Sequence, residues 1–318
     1  MKLINIYKMA VKKGIEKDPR SRLEISRELA EARRGFRRLK GADKRAFDKE
    51  SLTNPYADTR ILYGDPDKNI KSVMIGIDME GPEILAADRL NERGDEAIDL
   101  VMAHHPEGAA WARFYDVMKL QVAMLNKMGI PRAVGERLLK DRMGEVERAV
   151  APANHLRSVD IARLMDIPFM CVHTPADNHV ASYLQKMFDG KRPKKLGQAA
   201  AMLKNIPEYA DGLRKNAGPR ILIGDPDKSA GRIFVDMTGG TEGPKKIFPR
   251  LSQAGVGTIV AMHLSEEHFK NAKEEAINVI IAGHIASDTL GLNLLLDEIE
   301  KVERLKIIPA SGFVRIRR

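Results

Sequence analysis

Short apolar runs of strand length recur along the chain, separated by longer polar or amphipathic stretches. The runs lie at 72–78, 99–105, 166–173, 232–237, 257–263 and 278–284. Helical periodicity at 178–188 and 288–302 predicts helices after two of them, and Gly81-Pro82 and Gly243-Pro244 can each open another helix. Strands that alternate with helices predict an α/β fold.

An internal repeat divides this pattern in two. Residues 61–68 read ILYGDPDK and residues 221–228 read ILIGDPDK. From Gly64 to His104 is 40 residues, and from Gly224 to His263 is 39. We therefore expect two related α/β lobes, 56–195 and 196–318, with a site in the cleft between them. The segment GKRPKKLG (190–197) is the expected hinge, and 1–55 is an expected basic helical extension.

The net charge of +9 comes almost entirely from the first fifty residues, which hold sixteen Lys or Arg against eight Asp or Glu. A solvated helical face and a nucleic-acid surface both fit such a segment. The absence of interleaved aromatic residues and of a binding motif favours the solvated face, so nucleic acid is not the expected partner.

Composition limits the compartment. No apolar run approaches the ~18 residues of a membrane span, and the N-terminus lacks the apolar core of a signal peptide. A single cysteine, Cys171, excludes an internal disulfide and fits a reducing compartment. We expect a cytoplasmic protein without a membrane partner.

Four of the eight histidines lie where an apolar run ends: His104, His173, His263 and His284. Ligands of open α/β sheets bind outside the carboxyl ends of strands, so this shared position predicts a site. His104 is followed by His105, and adjacent imidazoles at a strand end can reach two different ions more easily than one. A pair of surface histidines is the alternative.

Two further motifs add carboxylates. In HTPADN, Asp177 follows His173 by four residues, although an Asp here could simply start a helix. In AGHIASD, His284 and Asp288 share one face of a predicted helix, where Asp288 could bridge two ions or only complement the helix dipole. Three imidazoles and two carboxylates suit two divalent ions of Zn, Fe, Mn or Ni.

These motifs, GDPDKNIKSVMIGID, LVMAHHP, HTPADN and GHIASDTLG, resemble the dinuclear-metal-centre hexameric proteins, that is, the GTP cyclohydrolase I type 2 homologues and NGG-one-interacting-factor-like proteins. The resemblance spans roughly 55–310. It implies a homo-oligomeric, hexameric ring of two-lobed α/β subunits. It also implies a set of metal ligands: His104, His105, Asp177, His284 and Asp288.

The sequence departs from the family in several places. Asp288 stands where Glu is usual, and the second-lobe strand ends in AMHLSEEH. The basic N-terminus and segment 131–160 are also atypical. These differences are consistent with a subfamily that has its own substrate.

The expected activity is metal-dependent hydrolysis of a nucleotide-like or phosphorylated small molecule, and the resemblance implies GTP. His173, Glu267 or His268 could move protons. The glycine-rich stretch TGGTEGPKK could bind phosphate through Gly239, Gly240 and Lys245, or it could be an ordinary turn before a helix. The competing hypothesis is a metal-binding scaffold or regulatory protein without catalysis.

Overall fold

A computed structural model describes residues 1–318 as fourteen helices and nine strands, with short 3-10 helices at Lys49–Leu52, Phe114–Leu120 and Lys245–Ile247. The helices are α1 (Leu3–Lys17), α2 (Arg22–Arg38), α3 (Gly41–Ala46), α4 (Gly81–Arg93), α5 (Gly108–Ala112), α6 (Gln121–Lys127), α7 (Arg132–Val150), α8 (Arg157–Leu164), α9 (Thr174–Lys191), α10 (Leu196–Lys204), α11 (Pro207–Arg214), α12 (Phe248–Gln253), α13 (Glu266–Glu274) and α14 (His284–Glu300). The strands are β1 (Arg60–Tyr63), β2 (Ser72–Gly76), β3 (Leu100–Ala103), β4 (Phe169–Cys171), β5 (Arg220–Ile223), β6 (Arg232–Asp236), β7 (Val256–Ala261), β8 (Asn278–Ile281) and β9 (Lys306–Pro309). Each apolar run that predicted a strand forms one.

Two sheets share one topology. Their strand orders are β1-β4-β3-β2-β9 and β5-β8-β7-β6. In each sheet the first strand is antiparallel to its neighbour and the other pairs are parallel. The Gly-Asp-Pro turns follow the corresponding edge strands, with left-handed φ values of 112° at Gly64 and 110° at Gly224. The predicted α/β fold of two related lobes is confirmed.

The strand register corrects one detail of the repeat. Ala103 pairs with Cys171, and Ala261 pairs with Ile281. The residues after Ala103 and Ala261 therefore correspond, which matches His104 with Met262 and His105 with His263. The spacing in the sequence had suggested that His104 matches His263.

Helices α9 and α14 join the lobes. Both contribute buried side chains to the core under the first sheet and to the core under the second. They also pack against each other, and a Cβ at Gly291 would come within 2.6 Å of the Ala176 carbonyl oxygen. A glycine is needed where the two helices cross, and this crossing fixes the lobes relative to one another.

The N-terminal segment 1–55 is not uniform. Leu3, Ile6 and Ala10 of α1 are fully buried in the first core. Helix α1 is also the counterpart of α10, because Lys2 bridges to Asn69 as Lys195 bridges to Ser229. Helix α2 instead lies on the surface with a single buried residue, as its basic amphipathic pattern predicts. No helix of the structure is both long and apolar enough to cross a membrane.

Candidate metal centre

The adjacent histidines lie at the carboxyl end of the first sheet, just after β3. Their backbone amides continue the ladder to β2, since His104 donates to Gly76 and His105 to Ile77. The two rings lie 5.3 Å apart. The His104 side chain is fully buried, whereas a quarter of the His105 side chain is exposed.

One carboxylate comes from the first turn of α9, and the other comes from α14, one turn after its first residue. Asp177 is buried in α9, one turn after His173, and Asp288 is buried in α14, one turn after His284. Gly283, before α14, has a φ of 105°, and a Cβ there would lie 2.2 Å from the Ala217 carbonyl oxygen. The local backbone therefore requires glycine where α14 begins.

The five predicted ligands converge. His104 Nε2 lies 3.4 Å from Asp177 Oδ1 and 3.4 Å from Asp288 Oδ1. The second oxygen of Asp288 lies 3.6 Å from His105 Nε2 and 3.5 Å from His284 Nε2. Two triads of potential ligands combine histidine and aspartate: His104, Asp177 and Asp288 form one, and His105, His284 and Asp288 form the other. Asp288 belongs to both. A third group of potential ligands consists of His104, His105 and His173.

Four atoms of this cluster are buried without a hydrogen-bond partner: His104 Nε2, Asp177 Oδ1 and both Asp288 carboxylate oxygens. Buried polar atoms almost always have a partner, and leaving one without a partner costs about 1–3 kcal/mol or more when it is charged. Since these atoms face one another, the donor set fits a bound cation better than an internal hydrogen-bond network.

Hydrogen bonds on the far side of each ring orient the imidazoles. His104 Nδ1 donates to the Val172 carbonyl oxygen at 3.1 Å, and His105 Nδ1 donates to Asp78 at 2.6 Å. Donation from Nδ1 leaves the lone pair on Nε2, which faces the cluster. These contacts prepare both rings to bind a metal ion.

Charges within the cluster are strongly coupled. Burial disfavours protonation of His104, but Asp288 and Asp177 outweigh it and raise its pKa to about 10. Burial also opposes ionisation of Asp288, yet His104 and its neighbours hold the pKa of Asp288 well below its usual range. Without a bound ion, a proton on His104 would therefore compensate the charge of Asp288, and a metal ion would have to displace that proton.

His173 lies at the edge of the cluster. Its ring centroid is 4.9 Å from that of His104, and its Nε2 lies 3.7 Å from Asp177 Oδ2. On the other side, His173 Nδ1 donates to Asp58 at 2.9 Å, and Thr174 Oγ1 donates to the same oxygen at 2.6 Å. Asp58 is fully buried and fixes the orientation of the His173 ring.

Sequence reasoning missed Asp58 and Asp78. Asp78 ends the run SVMIGID, so the strand-end rule that selected the histidines would also have found it. Asp58 precedes an edge strand and had no such signal.

Neither of the predicted proton carriers Glu267 and His268 belongs to a group of potential metal ligands. His268 Nδ1 contacts Ser265 Oγ at 2.7 Å, and His268 Nε2 contacts the Gly243 carbonyl oxygen at 3.0 Å. With both nitrogens engaged, His268 holds the loop before α12 in place. Glu267 forms a surface ion pair with Lys245 at 2.6 Å.

The predicted phosphate loop packs against the first lobe. Gln121 Nε2 donates to the carbonyl oxygens of Gly239 and Thr241, at 2.9 and 2.7 Å. Both Gly239 and Gly240 have left-handed φ values, and a Cβ on Gly239 would lie 2.6 Å from Gln121 Cγ. These glycines form a close contact between the lobes, and Lys245 forms an ion pair with Glu267.

The second lobe adds one polar group beside the cluster. The ring of His263 lies 5.0 Å from that of His284, and its Nδ1 lies 3.5 Å from Glu242 Oε1. The Glu242 carboxylate raises the pKa of His263 despite burial. A cleft of about 680 Å³ opens over His105, His173, His263 and His284, so the cluster can be reached from solvent.

No family model and no curated protein sequence matches the chain. Solved structures do. A NIF3 superfamily protein from Sphaerobacter thermophilus aligns at a TM-score of 0.73 with 25% identity, over 91% of this chain and 98% of that one. Reduced HcgD from Methanocaldococcus jannaschii aligns at 0.46 with 15% identity, over 89% and 96%. A Bacillus cereus protein related to NIF3 aligns at 0.43 with 12% identity, over 91% and 98%.

The Sphaerobacter protein shares the whole two-lobed fold, and this chain carries two histidine and aspartate triads that could hold metal ions. Together these findings support a metal-binding protein. The chain shares its fold with a NIF3 superfamily protein, and the NIF3 proteins are the dinuclear-metal-centre family that its motifs resemble.

Proposed function

We propose that this protein is a metal-dependent hydrolase that holds two divalent ions and acts on a nucleotide-like or phosphorylated small molecule. GTP cyclohydrolase I type 2-like ring opening is the member of this class that the family resemblance suggests. The observation that carries the proposal is the set of four buried atoms without hydrogen-bond partners at the meeting point of two ligand triads.

His104, Asp177 and Asp288 would hold one ion, and His105, His284 and Asp288 the other. Asp288 has one oxygen toward each group, which suits a bridging carboxylate. Zn, Fe, Mn and Ni all accept such nitrogen and oxygen ligands. A pair of bound divalent ions would polarise the substrate and lower the pKa of coordinated water.

His173 is the residue best placed to move protons. Its Nε2 faces the cluster, while Asp58 accepts a hydrogen bond from Nδ1 and fixes the orientation of the ring. His173 also lines the cleft, so a substrate there would be within its reach. Asp58 acts through His173 and is a positioning residue.

The cleft favours a hydrolase over a scaffold. Each triad offers three protein ligands, which leaves coordination positions for water or substrate. His284, with a 41% exposed side chain, borders solvent at one end of the cluster. A structural ion would be expected to be enclosed by protein ligands on every side.

Metal analysis and activity assays on the same preparations test this proposal. Wild type, expressed with the four metals supplied, should carry about two ions per chain and hydrolyse at least one member of a nucleotide and phosphoester panel. His173→Ala should keep its ions and lose activity by at least about tenfold, in line with a proton-transfer group. His268→Ala is the matched control, since its ring is engaged elsewhere, and it should keep both.

Wild type that carries no transition metal would refute the metal assignment. Two ions without activity on any panel member would favour the scaffold. We extend the proposal to a homo-oligomeric ring, on the family resemblance alone, and the mass of the assembly in solution tests that part.

A further inference from the structure

The cleft over the candidate metal centre has two walls that contact each other directly. One wall is the segment 107–114, and the other is 153–161. The amide of Gly108 donates to the His155 carbonyl oxygen at 2.9 Å, and a Cβ on Gly108 would lie 2.7 Å from Val159 Cγ2. At about 680 Å³ the cleft has the size of a small-molecule site.

Trp111 presents a flat apolar surface in this cleft. Its ring stacks on Phe114, with centroids 5.1 Å apart and planes 14° from parallel. Phe114 is buried, and Gly240 of the second lobe lies close against it, since a Cβ there would be 3.3 Å from the ring. Phe114 thus supports one side of Trp111, and the accessible part of the indole borders the cleft.

The polar groups around Trp111 are mixed in charge. Arg157 lines the cleft and supplies a positive charge there. Asp78, Glu80 and Glu107 also line it, but Asp78 is bonded to His105 and Glu80 caps α4. A bare anion gains little from such a lining. A flat ring with polar edges can stack on the indole and bond to acceptors and donors around it.

We propose that Trp111, supported by Phe114, is the binding surface for a planar heteroaromatic ring of the substrate, whose reactive part lies over the histidine and aspartate cluster. This inference rests on the proposed function and names the part of the substrate that the cleft recognises. Stacking on an aromatic side chain is tolerant of the ring's identity, so the surface selects for a ring and the polar groups select among rings.

Trp111 is the single tryptophan of the chain, so its fluorescence reports on this site alone. The probes are guanosine, adenosine, their 5′-monophosphates and ribose 5-phosphate, titrated into metal-loaded and metal-stripped protein. We expect saturable quenching by the probes that carry a ring and none by ribose 5-phosphate.

Substitution with binding measured by calorimetry gives the second arm. Trp111→Leu should weaken binding of the ring-bearing probes by about tenfold or more, and Trp111→Phe by clearly less. Phe36→Leu, in the Phe36–Phe47 ring pair, changes a phenylalanine that does not line the cleft, so it is the matched control and should leave binding unchanged. Unchanged metal content and circular dichroism in each variant establish that the fold persists.

The outcomes separate the two proposals. Protein that carries two ions but shows no saturable quenching by any ring refutes the subsite and leaves the metal assignment standing. Saturable quenching in protein that never binds ions supports the subsite and refutes the metal assignment. Equal binding of ribose 5-phosphate, or unchanged binding by Trp111→Leu, also overturns the subsite.

Discussion

The two lobes share a strand order but place different residues at equivalent positions. The register that matches Ala103 with Ala261 and Cys171 with Ile281 sets His104 against Met262 and Asp177 against Ser287. It also sets Asn178 against Asp288. Each lobe therefore has a residue that is not a candidate ligand at a position where the other lobe has one. Neither lobe alone supplies the whole cluster.

The positions without a candidate ligand have structural roles instead. Asn178 is fully buried, donates to the Gly14 carbonyl oxygen and to Tyr56, and accepts from Thr238. Ser287 donates to the Gly283 carbonyl oxygen and contacts the Tyr209 hydroxyl. The comparison teaches that the duplicated fold supplies buried positions at the carboxyl edge of each sheet, and that residue identity decides which of them can bind metal.

Replacing each of the two equivalent strand-end residues, His104 and Met262, with alanine should give the largest difference in metal content. His104→Ala removes a fully buried ring from one ligand triad, so we expect loss of at least one ion per chain. Met262→Ala changes the equivalent position of the second lobe and should keep the metal content of wild type. Equal metal content in both variants, measured on folded protein, would contradict the asymmetry.

Asn178→Asp gives the first lobe an aspartate at the position equivalent to Asp288 of the second lobe. The new carboxylate would be buried where Asn178 now donates to Gly14 and Tyr56, so the variant gains a charge and loses two donors. We expect the free energy of unfolding to fall by roughly 3 kcal/mol. Denaturant titration measures this, and an unchanged midpoint would show that this position tolerates charge in either lobe.

Asp236 ends β6 where Gly76 ends β2, which gives the second lobe an extra acid. Burial, with Glu242 acting in the same direction, raises the pKa of Asp236 to about 6, above the ~3.9 of an unfolded chain. The folded state then binds the proton more tightly, so this stabilising contribution is present below about pH 4 and is lost as the pH rises through 6.

In the presence of a chelator, we expect the ionisation of Asp236 to lower the free energy of unfolding of wild type by roughly 2 kcal/mol between pH 4 and pH 8. Asp236→Asn should lack this decrease, because asparagine does not ionise. Denaturation curves at several pH values check this. Parallel pH profiles for wild type and variant would be inconsistent with a raised pKa at Asp236.

The smallest effect is expected at the surface of the second lobe. Lys245 and Glu267 pair with each other on exposed side chains and contact none of the five ligands. Lys245→Ala should leave metal content and Tm unchanged, because exposed ion pairs contribute little to stability. A drop in metal content or in nucleotide binding would instead support their predicted place in the site.

Local patterns in the sequence predicted much of this arrangement. The short continuous apolar runs predicted the strands, and the repeated Gly-Asp-Pro turns predicted the duplication. The position of His104, His105 and His284 at or next to the ends of apolar runs predicted that they lie at the carboxyl ends of strands. These signals are local in sequence, and the α/β topology turns them into proximity.

Other features depended on contacts that no local pattern encodes. Whether a histidine nitrogen is free to bind metal depends on its partners, and His268 has both nitrogens engaged whereas His104 has one orphaned. The core position of α1 depends on a contact distant in sequence, the bridge between Lys2 and Asn69. Trp111 reaches the cleft because the segments 107–114 and 153–161, distant in sequence, line it together.

The central claim is that Asp288 joins two ion sites, and metal stoichiometry in two variants of α14 tests it most directly. Asp288→Asn keeps the shape of the side chain and removes the charge shared by both triads. Asp297→Asn is the matched control, because Asp297 lies on the same helix and pairs with Arg315 from outside that helix. We predict about two ions per chain in wild type and in Asp297→Asn, and the loss of at least one ion in Asp288→Asn. Two ions retained in a folded Asp288→Asn variant would contradict the account.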